Sequence, residues 1–103
     1  MALNRLEELF TKVYSATLNN KIDWKKNPKL ESSYKAEIGK NQIYIYFSAG
    51  RFRAVILSQE GDEIGKLTSY SYPKLKELFD LAKRKALKID ENLKEIDSLL
   101  DSL

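Results

Sequence analysis

Between Gln42 and Leu57 the chain alternates with a period of two, the signature of half-buried strands. Ile43, Ile45, Phe47, Phe52, Ala54 and Ile56 fall on one side; Tyr44, Tyr46, Arg51, Arg53, Val55 and Leu57 fall on the other. The same reading predicts four strands, at 34–38, 42–48, 51–58 and 64–70. They are separated by "GKN", "AG" and "QEGDE", where Gly or Asn accepts a positive φ. Loops this short impose antiparallel hairpins, hence a four-stranded meander over 34–70. An even loop at Ala49-Gly50 sets Phe47 opposite Phe52 and Tyr46 opposite Arg53, so each face keeps its character.

The period changes on either side of the sheet. Leu3, Leu6, Leu9, Phe10, Val13 and Thr17 recur at three and four, with Arg5, Glu8, Lys12 and Ser15 opposite, which predicts an amphipathic helix over 2–19. "LNNK" then supplies asparagines that tolerate a left-handed C-terminal cap. A basic connector, 20–33, carries Trp24 and Pro28; the proline argues against helix, and the tryptophan is read as sealing an edge of the core.

Beyond the sheet, Pro73 suits a first helical position. Leu75, Leu78, Ala82, Ala86, Ile89, Leu93, Ile96, Leu100 and Leu103 follow in steps of three and four, giving a helical segment over 73–103. A continuous helix of that length would run about 45 Å, whereas a seven-residue strand covers only about 23 Å. Leu93, Ile96, Leu99, Leu100 and Leu103 then need cover from elsewhere, at roughly 1.5–3 kcal/mol for each burial forgone. Either the helix runs on and pairs with a second copy, or it breaks near 89–92 and folds back, with Asn92 and Glu95 as a capping box. Charge adds a reason for pairing. Residues 73–88 are basic and 89–103 acidic, so an antiparallel pair sets unlike halves side by side.

Length and composition bound the rest. A chain of 103 residues builds one modest core, so the expectation is a single α+β domain. The net charge of +3 is unevenly spread: 89–103 stands at −4, and the other 88 residues at +7. No cysteine is present, which fits a reducing cytoplasm and removes thiolate chemistry. No histidine is present either, so the commonest general base and metal ligand is missing, and the expectation is a protein without catalysis. No apolar run reaches membrane-spanning length, and "MALNRLEELF" lacks the pattern of a signal peptide. No cofactor or metal motif stands out: the glycines lie in or beside hairpin turns, and the carboxylates of "QEGDE" read as a plain turn.

The second sheet face decides between functions. Tyr44, Tyr46 and Tyr70 beside Arg51, Arg53 and Lys66 would stack bases and follow phosphates, and Lys83, Arg84 and Lys85 would extend such a basic surface. In element order alone, four antiparallel strands followed by a helix, the chain resembles the single-stranded-DNA-binding transcriptional coactivators, which implies a nucleic-acid partner. The other reading is that tyrosines are favoured strand residues with arginine stems lying over their rings. Because Val55, Leu57 and Ile64 share this face and have no phosphate-binding role, it is read as covered in part or as protein-binding.

The expectation that follows is a small intracellular binding protein, an adaptor, inhibitor or regulator, homodimeric through the C-terminal helix. Its interface would comprise Ile89, Leu93, Ile96, Leu99, Leu100 and Leu103, with Val55 and Leu57 on the sheet. No small-molecule substrate or membrane partner is indicated. Single-stranded DNA or RNA binding by the Tyr/Arg face is the alternative.

Overall fold

A computed structural model describes residues 2–103, with side chains from Arg5 onward; Leu3, the first apolar position of the series, lies outside the described side chains. The order is α1 (Ala2–Leu18), β1 (Lys25–Lys26), β2 (Ser33–Ile38), β3 (Asn41–Ser48), β4 (Arg51–Leu57), β5 (Glu63–Thr68), α2 (Leu75–Ala86) and α3 (Ile89–Asp101). The class is α+β, and the five strands form one antiparallel meander in the order β1-β2-β3-β4-β5.

The register follows from the turns. Ala49 and Gly50 both take positive φ, 52° and 75°, the conformation a two-residue hairpin needs. Phe47 therefore faces Phe52, and Tyr46 faces Arg53. Ile43, Ile45, Ala54 and Ile56 are buried on the inner face, with Tyr34, Ala36 and Leu67 alongside. Phe47, at the hairpin end, stays partly exposed and packs edge-on against Phe52, with ring centroids 4.9 Å apart.

Both α1 and α2 lie on this inner face. Phe10 and Val13 from α1 join Leu75, Leu78, Phe79 and Ala82 from α2 in one core. The Phe79 ring meets Tyr34 at 5.4 Å and Phe52 at 5.0 Å, which fixes α2 over the middle strands. α1 closes with the two backbone bonds of a Schellman motif, Lys21 N–H to Ala16 O and Asn20 N–H to Thr17 O, with Asn20 at φ 58°. Trp24 is buried, and its Nε1 donates to Thr17 Oγ1 at 2.9 Å; the Thr17 hydroxyl donates to Val13 O at 2.8 Å.

Three details refine the expected plan. The sheet has a fifth strand, β1, at the edge of the connector, where Lys25 and Lys26 pair with Lys35 and Tyr34. Two residues offer no alternation to read, so periodicity missed it. α2 begins at Leu75, two residues after Pro73, which sits in the preceding turn; Leu75 N–H bonds to Tyr72 O at 3.0 Å. Finally, the C-terminal segment breaks into two helices, as in one of its two expected arrangements, but at Lys88 and without folding back. Lys88 adopts φ 51° and ψ 44°, the left-handed conformation, and ends α2. α3 does not fold back: it touches α2 and extends beyond the body, giving the molecule dimensions of 57 × 28 × 28 Å. Asn92 caps no N-terminus. It lies inside α3, where its Nδ2 donates to Leu87 O at 3.0 Å across the break, and Arg84 pairs with Asp90 at 2.8 Å beside it.

Opposite Leu57 the ladder slips: Ile56 pairs with Gly65 but Leu57 with Glu63, so Ile64 is an extra residue bulged out of β5. No helix among the described residues is long and apolar enough to cross a membrane.

Candidate functional site

Two surfaces stand out because the chain leaves them without a covering element. The first is α3. At 100° per residue, Ile89, Leu93, Ile96, Leu99 and Leu100 share one side of the helix, and Leu103 follows just past its end. Leu93 is 58% exposed, Ile96 53%, Leu99 61% and Leu100 60%; Leu103 is fully exposed and Ile89 half-buried. Acids border this seam on both flanks, Asp90, Asp97 and Asp101 on one and Glu95 on the other, while Glu91 and Lys94 face away. The helix thus presents an apolar strip between two acidic margins.

The second surface is the outer face of the sheet. The expectation there is partial cover or a protein-binding role; both body helices pack on the inner face and α3 packs mainly on α2, so no helix lies over it. Tyr44, Tyr46, Val55 and Leu57 are half-buried by one another and by their strand neighbours. The register sets Lys25, Lys35, Tyr44, Val55 and Lys66 in one row across the five strands. Arg53 stands opposite Tyr46, and its Nε donates to Ser48 O at 3.2 Å. The Tyr44 hydroxyl donates to Gln42 Oε1 at 2.9 Å. At the sheet end Arg51 lies 5.1 Å from the centroid of the exposed Tyr70 ring. Glu37 and Glu63 lie at the other end, in the row of Gln42 and Leu57, and Asp23 pairs with Lys25 at 3.8 Å.

Most of the expected nucleic-acid residues therefore come together on one face: Tyr44, Tyr46, Arg51, Arg53, Lys66 and Tyr70. Lys83, Arg84 and Lys85 do not join them. They belong to α2, on the opposite side of the sheet, where Arg84 is held by Asp90 and Lys85 by the side chain of Asn20. Lys25 and Lys35 were missed as members of the face. The signal for Lys35 was present, since Tyr34 and Ala36 on its two sides point inward. A third feature, a shallow apolar groove between α1 and the β2–β3 hairpin, is lined by Leu9, Val13, Ala16, Ile22 and Ile38, with Lys12, Lys21 and Glu37 at its rim.

Among the described residues, no group of three or more His, Cys, Asp or Glu is placed to hold a metal ion. "QEGDE" forms a hairpin turn closed by Ser58 N–H to Asp62 O at 2.8 Å. Burial raises the pKa of the Tyr34 phenol, which faces the core away from either surface. Comparison of the chain with protein-family models, with curated proteins and with solved structures finds no match.

Proposed function

We propose that the protein is a small non-catalytic protein-binding module, an adaptor, inhibitor or regulator, that self-associates through α3 and works in the cytoplasm. The observation that carries this reading is the exposed seam of α3. A 13-residue helix is marginal in water on its own. Four large aliphatic side chains held outward on such a helix forgo roughly 1.5–3 kcal/mol each unless a partner covers them. The lack of cysteine supports the compartment.

Size-exclusion chromatography with light scattering tests the reading. The wild type is expected at about twice the 11.9 kDa of one chain, and Ile96→Asp at the mass of a monomer with its far-ultraviolet circular dichroism retained. Equal mass and equal stability for both proteins would remove α3 as the joint.

A second reading has one observation in its favour, the open Tyr/Arg face with Tyr70 beneath Arg51. Single-stranded DNA or RNA would stack on the tyrosines, and Tyr46→Ala would then cost roughly 1–3 kcal/mol of salt-dependent binding. No anisotropy change of a labelled oligonucleotide at low salt would remove it.

A further inference from the structure

We infer that the surface receiving α3 is the outer sheet face of a second copy, each chain laying its α3 across the sheet of the other. This rests on self-association through α3 and names the acceptor. Antiparallel pairing of a continuous C-terminal helix would set basic residues 73–88 of one chain beside acidic residues 89–103 of the other. The break at Lys88 removes that arrangement, since α2 is packed into the body and only the acidic half projects. Two copies of α3 side by side would face each other with five acids and one lysine apiece.

The outer face has the opposite charge and a matching shape. On β3 and β4 it carries Tyr44, Val55 and Leu57, with Lys35 on the β2 side and Lys66 on the β5 side of the Tyr44–Val55 pair. The two lysine-bearing strands are three spacings apart, roughly 14 Å. A helix with its side chains is about 10–12 Å across. An α3 laid along β3 and β4 would therefore rest its seam on the aromatic and aliphatic residues, with an acidic margin over a lysine on each side. Lengths agree as well: thirteen helical residues span about 20 Å, and the seven residues of β4 about 23 Å.

Reciprocity follows from symmetry. The molecule is 57 Å long and 28 Å in its other two dimensions, and in a two-fold pair each chain would return its own α3 to the other's sheet. The interface is then counted twice and closes, which moves its total toward the roughly 1,200–2,000 Å² of stable associations. It also covers both uncovered surfaces at once.

The test uses full-length variants in sedimentation equilibrium. Lys35→Glu with Lys66→Glu is expected to weaken the dimer at least tenfold, Val55→Asp to abolish it, and both to keep the monomer fold by near-ultraviolet circular dichroism. Adding Glu95→Lys and Asp97→Lys to the lysine double variant is expected to restore most of the lost affinity. If Ile96→Asp dissociates the dimer while the lysine double variant and Val55→Asp leave it intact, α3 docks elsewhere and the inference falls, though self-association through α3 stands. Dissociation by Lys12→Glu with Lys21→Glu, with the sheet variants unaffected, would place α3 in the α1 groove and overturn it equally. If Ile96→Asp changes nothing, both readings fall together. Tight, salt-dependent capture of a labelled single-stranded oligonucleotide by the wild-type dimer, lost in the lysine double variant, would assign the face to nucleic acid instead.

Discussion

The Nε1 of Trp24 donates to Thr17 Oγ1 at 2.9 Å, inside a core where Thr17 has no exposed surface. The bond ties the connector to the last turn of α1. Thr17→Val keeps the shape and removes the acceptor, leaving a buried indole N–H without a partner. The expected cost is about 1–3 kcal/mol in urea unfolding. Because Trp24 is the only tryptophan, its fluorescence reports the transition directly.

At the β3–β4 hairpin, Ala49 occupies a left-handed conformation that disfavours a side chain with an ordinary Cβ. Asparagine followed by glycine is the favoured pair for such a turn. Ala49→Asn is therefore expected to stabilise the protein by up to about 1 kcal/mol, read as a higher denaturant midpoint with an unchanged slope.

Lys88 holds the same backbone region at the junction of α2 and α3. Lys88→Gly removes the steric cost but frees the unfolded chain, so the two effects nearly cancel and stability changes by less than about 1 kcal/mol. Lys88→Val, whose branched side chain fits this region poorly, is expected to cost about 1–3 kcal/mol. Thermal melts followed by circular dichroism at the helix minimum check both.

Alkaline stability depends on Tyr34. Burial raises its pKa above the ordinary 10.0, because the charged phenolate is disfavoured in the core. In the unfolded chain the phenol ionises first, at its ordinary value, so the stability from the neutral phenol is complete below that value. It is lost as pH rises through the folded pKa. Between those two values the wild type is expected to lose denaturant midpoint faster than Tyr34→Phe.

The sheet and its register were readable because two signals agreed at each turn. Alternation assigned Ile43, Ile45, Ala54 and Ile56 inward, and the two-residue loop at Ala49-Gly50 allowed one pairing only. Trp24, read as sealing an edge of the core, is buried there. The break at Lys88 was harder. The apolar steps continue in phase through it, and lysine is not a residue that announces a left-handed cap. Yet the change from basic to acidic side chains carried the message. Lys83, Arg84 and Lys85 sit in the last turn of α2, and Asp90 and Glu91 in the first turn of α3. Cations gather where a helix ends and anions where one starts, because the helix dipole favours each there. The change of charge marks a boundary within one chain. The open outer face was not legible at all, because mixed polarity on a strand describes a sheet covered by a partner as well as one covered by its own helix.

The two borders of the sheet bear on how this chain behaves when crowded. β1 stops after Lys25 and Lys26, and β5 is interrupted by its bulge at Ile64 and carries Lys66. A neighbouring molecule seeking to add a sixth strand meets like charge at one margin and a mismatched hydrogen-bond ladder at the other. Edge-to-edge growth of the sheet from chain to chain is therefore disfavoured at both rims.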